Sequence, residues 1–170
     1  MAMTPLPTNR DRWHAWLAFV FRTRAAALSV DLALVAARIA LAWIFIYYGA
    51  GKLFGAFNGP GIHGTALYFS NTAHLHPGGL FAVLGGLIEL GGGISLGLGF
   101  GARLGGLALF GDMVMAMITV TWATGINSST SPPGYQLNMA LGVLSLVIAV
   151  AGAGRFSVDA LVEPRVAAME

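Results

Sequence analysis

The chain is predicted to be an all-α integral membrane protein, a four-helix bundle with both termini on the cytoplasmic side. Composition is the first ground for this. Of its 170 residues 56% are hydrophobic and only 9% charged, with a mean hydropathy of +0.75. A soluble domain carries roughly 25% charged residues because its surface must face water. The second ground is segment length. Four apolar stretches, residues 32–54, 79–99, 102–123 and 135–153, meet the requirement of about 20 residues for a spanning helix. The third is charge asymmetry. Arg10, Arg12, Arg22 and Arg24 precede the first stretch, Arg103 sits between the second and third, and Arg155 and Arg165 follow the fourth. The other two connections hold no Lys or Arg, so the positive-inside rule assigns the basic side to the cytoplasm.

Each element has its own signals. Residues 1–31 form an N-terminal segment in which Trp13, Trp16, Leu17, Val20 and Phe21 make an apolar face beside Arg12, Arg22 and Arg24. That stretch is too short to cross, and it reads as an interfacial helix or a frayed tail. No apolar run ending in a cleavage site precedes it, so no removable signal peptide is expected. The spans, within a domain of residues 32–159, are separated by Asn58-Gly59-Pro60-Gly61, Gly99-Phe100-Gly101 and Ser131-Pro132-Pro133-Gly134. Residues 160–170 read as a cytoplasmic tail. The 24 glycines suit close helix packing in lipid.

The same composition excludes several functions. With no cysteine, the chain has no disulfide, thiolate nucleophile or covalently attached haem. A formal net charge of +2 is too small for nucleic-acid binding. His74-Leu75-His76 offers two ligands without a matching carboxylate, so no metal site is expected.

Ionisable residues at membrane depth are costly unless they face the bundle interior, and the spans contain Arg38, Lys52, Glu89 and Asp112. Helical spacing puts Arg38, Phe45, Tyr48 and Lys52 on one face of the first span. Glu89 shares a face with Gly85 and Gly92, and Asp112 with Ala108 and Met115. Measured from the cytoplasmic ends of their spans, Arg38 lies roughly 9 Å deep and Glu89 and Asp112 about 14 Å. The expected pair is therefore Arg38–Glu89, with Asp112 as a second acceptor. Such a pair either locks two helices together or handles protons. Lys52, Trp122, Tyr135, Gln136 and Asn138 are expected near the outer end, where Tyr48, Lys52, Trp122, Tyr135 and Asn138 can surround a quinone headgroup or form an interfacial aromatic belt.

In order along the chain, several pieces resemble the DoxX family of small bacterial membrane proteins. They are Arg38 with Gly49-Ala50-Gly51-Lys52-Leu53, then Gly59-Pro60-Gly61-Ile62, Glu89, Leu98-Gly99-Phe100-Gly101-Ala102-Arg103 and Gly152-Ala153-Gly154-Arg155-Phe156-Ser157-Val158-Asp159. The resemblance implies a four-helix bundle in the bacterial inner membrane, associated with redox systems such as thiosulfate:quinone oxidoreductase or superoxide-detoxifying assemblies. Gln136 departs from the acid that the family often places after the tyrosine opening its fourth helix. Function is then expected to be that of a membrane subunit of a quinone-linked oxidoreductase, with a redox protein or respiratory complex as partner. A non-catalytic scaffold is the alternative. A small transporter, working as a homo-oligomer, is a third reading; against it stand the lack of a repeated polar lining and of a broken helix pair.

Overall fold

The computed structural model of the chain describes residues 28–127, 129, 131 and 133–167, and the expected interfacial helix before residue 28 lies outside them. Helix α1 (Leu28–Phe54) is rich in Ala, Leu and Ile, and its first glycine is Gly49. It carries Asp31 in its first turn, where a carboxylate favours the helix dipole. It stops at Gly55, whose φ of 69° is left-handed. A 3-10 turn (Ala56–Asn58) and Pro60 lead into α2 (Gly61–Asn71). This eleven-residue helix falls within a connection expected to be a loop, because a search for apolar stretches of spanning length passes over a helix so short.

Helix α3 (Gly78–Leu98) follows Pro77, and the chain then reverses through Gly99-Phe100-Gly101, with both glycines at positive φ. Helix α4 (Ala102–Ala116) continues as a π turn (Met117–Thr121) and a 3-10 turn (Trp122–Thr124). Helix α5 (Gln136–Ala151) and the short α6 (Val158–Ala167) complete the described chain, so part of the expected tail is helical. Among the described residues there is no strand. The helices α1 and α3 and the stretch Ala102–Thr124 are long and apolar enough to cross a membrane, while the equally apolar α5 has 16 residues. This is a multi-pass membrane protein built as a bundle of helices.

Helix α1 packs chiefly on α3, and α4 on α5; α3 and α4 join the two pairs, and α2 lies along α3. Leu41, Phe45, Leu96, Leu109 and Ile148 are almost fully buried between them. Outward faces carry exposed Ile39, Trp43, Leu87, Leu107, Val143 and Val150. An apolar girdle of that extent has no place in water and is satisfied by acyl chains.

Glycine contacts fix how the helices are staggered. A side chain on Gly49 would meet the backbone of Leu90, one on Gly86 would meet Leu53, and one on Gly93 would meet Ile46. In this antiparallel register Glu89 lies level with Ala50, and Phe54 with Gly85. Helix α3 therefore runs about 10 Å beyond the end of α1, and α2 occupies the space above. The contacts of Gly92 with Leu109 and of Gly105 with Ser95 set α4 so that Asp112 is level with Glu89.

The closest approach, at Gly49, makes a direct test. A Cβ there would fall 2.5 Å from Leu90 N and 2.9 Å from its Cα, atoms of a helix backbone that cannot turn aside. Gly49→Ala is expected to destabilise the bundle by about 1–3 kcal/mol, read as a lower unfolding midpoint in detergent. Gly91→Ala, where a Cβ meets nothing within 4 Å, should leave the midpoint unchanged.

Candidate functional site

The stagger brings Lys52, Glu89 and Asp112 into one layer midway along the bundle. Lys52 Nζ donates to Glu89 Oε1 at 2.7 Å, with side-chain exposures of 25% and 4%. The second carboxylate oxygen of Glu89 is buried without a hydrogen-bond partner among the described residues. Asp112 is half-buried against Gly85, where a Cβ would stand 3.7 Å from its Oδ1.

The expected Arg38–Glu89 pair does not form. Arg38 lies twelve residues below the level of Glu89, about 18 Å along the helix axis. Relative to α3 it is shallower than the count from the span end implies, because α1 begins at Leu28 and is shifted toward the basic end. The guanidinium, 3% exposed, instead donates to four backbone carbonyls: Leu96 O at 2.8 Å, Gly97 O at 3.2 Å, Ala153 O at 2.6 Å and Phe156 O at 3.0 Å. Two of these are terminal carbonyls of α3, beyond the reach of its regular helical bonds, and Leu96 O also accepts from Gly99 N at 3.1 Å.

Other side chains close the remaining helix ends on the same side. Arg103 donates to Ala149 O and Val150 O at the end of α5. Asp159 accepts from Gly101 N at 2.7 Å and Ala102 N at 3.1 Å, capping the start of α4 from 57 residues away. Burial pushes the Asp159 carboxyl above its ordinary value, against the opposing pull of those two N–H groups, Arg38 and Arg103. Asp31 Oδ1 accepts from Arg155 N at 3.1 Å. The roles of Asp31 and Asp159 were not foreseen; a carboxylate beside a helix start was the available signal for Asp159. The family-like pieces at residues 98–103 and 152–159 thus meet in space as one clasp.

Beside the charged layer lies a cavity of about 800 Å³. Lys52, Asp112, Tyr48 and Asn138 line it, together with Tyr68 from α2, Phe69, Gly85 and Thr121. Its wall on α4 begins at Leu107 and continues into the π turn, a distortion frequent at functional sites. Lys52 was expected near the outer end and is instead in mid-bundle, because α1 stops early. Trp122 and Tyr135 do not line the cavity; their rings stack on each other at 5.3 Å and 17°. No group of three or more His, Asp and Glu among the described residues is arranged to hold a metal ion.

The family model described as DoxX matches residues 33–122, more than half of the chain. No curated protein and no solved structure matches significantly. The matched stretch carries Arg38 of the clasp, all three charges of the central layer and most of the cavity wall, and on it the chain belongs to the DoxX family.

Proposed function

We propose that this protein is the membrane subunit of a quinone-linked oxidoreductase or redox-protection assembly, and that its cavity receives the quinone headgroup. The observation that carries this is the cavity itself. At about 800 Å³ it lies within the range of small-molecule sites, apolar with few polar groups, and those groups lie at membrane depth. A bound quinone would supply reversible two-electron, two-proton chemistry. Lys52 is placed to donate a hydrogen bond to a ring oxygen while Glu89 balances its charge. Asp112 offers a carboxyl group for proton exchange at the cavity and Glu89 one behind Lys52, and Tyr48 and Tyr68 offer aromatic walls. Arg38, held by carbonyls, takes no part in proton handling on this reading. A partner redox protein would exchange electrons with the ring. The basic end faces the cytoplasm of a bacterial inner membrane, as the positive-inside rule requires.

The test fills the cavity. A Cβ at Gly85 meets Asp112 and Phe69 only at 3.7–3.8 Å, ordinary contact distances, so Gly85→Leu should fold and occupy the space between them. Binding of a short-chain benzoquinone to protein in nanodiscs is expected to weaken at least tenfold, with the unfolding midpoint retained. Gly91→Leu, pointing away from the bundle, should bind as the wild type does. Unchanged binding in Gly85→Leu sinks the proposal.

A non-catalytic scaffold is favoured by one observation, the number of charged side chains spent on closing helix ends. Copurification with a redox complex whose turnover survives Glu89→Gln would support it over the quinone reading.

A further inference from the structure

The two polar groups that face the cavity in the charged layer differ in what they ask of a ligand. Lys52 already gives one hydrogen to Glu89, and an ammonium has only donors to offer. Asp112 lines the same cavity and is reached by no hydrogen bond or ion pair among the described residues. A carboxyl group at membrane depth without a hydrogen-bond partner is costly, the attraction of Lys52 notwithstanding, and points to a functional contact. Gly85 adds to this: lacking a side chain, it leaves open the ground between Asp112 Oδ1 and the ring of Phe69, where a Cβ would sit 3.7 and 3.8 Å from each. With Lys52 donating and an ionised Asp112 accepting, a ligand that suits this wall both accepts and donates. A ring with two carbonyl oxygens can only accept; a ring bearing hydroxyl groups does both.

We propose that Asp112 is a specificity-determining residue of the cavity, accepting a hydrogen bond from a ligand hydroxyl, so that the site prefers the reduced, hydroxyl-bearing ring over its dicarbonyl form. This rests on the reading of the cavity as a ring-binding site. Glu89 is excluded from the role because Lys52 covers one of its oxygens and the other is buried away from the cavity. Thr121 is excluded because its hydroxyl oxygen is likewise enclosed by protein.

The test compares three probes under anaerobic conditions in nanodiscs: a short-chain benzoquinone, its hydroquinone, and the dimethyl ether of that hydroquinone, which keeps the ring and its oxygens but puts a methyl group in place of each donor hydrogen. Wild-type protein is expected to bind the hydroquinone at least tenfold more tightly than the ether or the quinone. Asp112→Ala should bring the hydroquinone down to the affinity of the ether and leave the ether within twofold of its wild-type value. A general structural lesion would weaken all three alike. Asp112→Asn keeps the shape of the side chain, guards against a failure of the alanine variant to fold, and should lower the preference at least threefold. Equal binding of hydroquinone and ether by the wild type, or a preference that survives both substitutions, overturns the role of Asp112 and leaves the cavity reading standing. Failure of every probe to bind overturns that reading and this one with it.

Discussion

Lys52→Met is expected to destabilise the protein by about 3–5 kcal/mol, the loss typical of removing one partner from a buried ion pair. The substitution leaves the Glu89 carboxylate, 4% exposed, with neither of its oxygens bonded among the described residues. Glu89 must then take up a proton or stand charged in a low-dielectric interior, and either outcome costs folding free energy. Glu89→Gln should cost less, because Lys52 is only partly buried and keeps the attraction of the Asp112 carboxyl in the same layer. The double variant Lys52→Met/Glu89→Gln should recover much of the loss, since removing both charges abolishes the unpaired state. A denaturant titration of the four proteins in mixed micelles gives the coupling energy, expected to exceed about 1 kcal/mol for groups in direct contact. Simple additivity of the single losses would show that the pair does not act as a unit.

Arg38→Met should be comparably damaging for a different reason. Four carbonyl oxygens from two separate stretches of chain converge on this one guanidinium. Charge-assisted hydrogen bonds contribute about 1.5–3 kcal/mol each, though relief of the buried charge offsets part of that sum, so a net loss of about 3–4 kcal/mol is expected. Arg38→Lys should recover less than half of it, because an ammonium is a point donor and cannot span acceptors on either side as a planar fork does. Hydrogen exchange gives a local readout: the amide of Asp159, which donates to Gly99 O in the clasp, should exchange far faster in both variants. Wild-type exchange rates there would mean that the clasp holds without its arginine.

The ends of the spans were readable in the residues because lipid sets a length and glycine and proline mark the stops. The stretches at residues 79–99 and 135–153 differ from α3 and α5 by one or two residues at each end. What could not be read was the stagger of the helices. It follows from glycines meshing with Leu90, Leu53 and Ile46 on the facing helix, a three-dimensional fit with no period in the sequence. Every depth assigned by counting from an assumed common edge inherited that uncertainty, and so Glu89 was matched with Arg38 when Lys52 was the neighbour. Lys52 and Asp112 stand out as ionisable residues within spans, and Tyr48 and Asn138 by their place near the span ends; these four share the cavity wall. Trp122 was grouped with them because aromatic residues near a span end look alike in one dimension, whether they face a cavity or, as here, lie 61% exposed.

Leu84 on α3 and Leu107 on α4 line the cavity and are 44% and 55% exposed, so the cavity is open between two spanning helices. The hollow therefore communicates sideways with the hydrocarbon phase. If the cavity takes a quinone as proposed, its occupancy follows the mole fraction of quinone dissolved among the lipids rather than its aqueous concentration. Diluting the protein with extra lipid at fixed ligand then empties the hollow, and apparent affinities carry meaning only alongside a lipid-to-protein ratio.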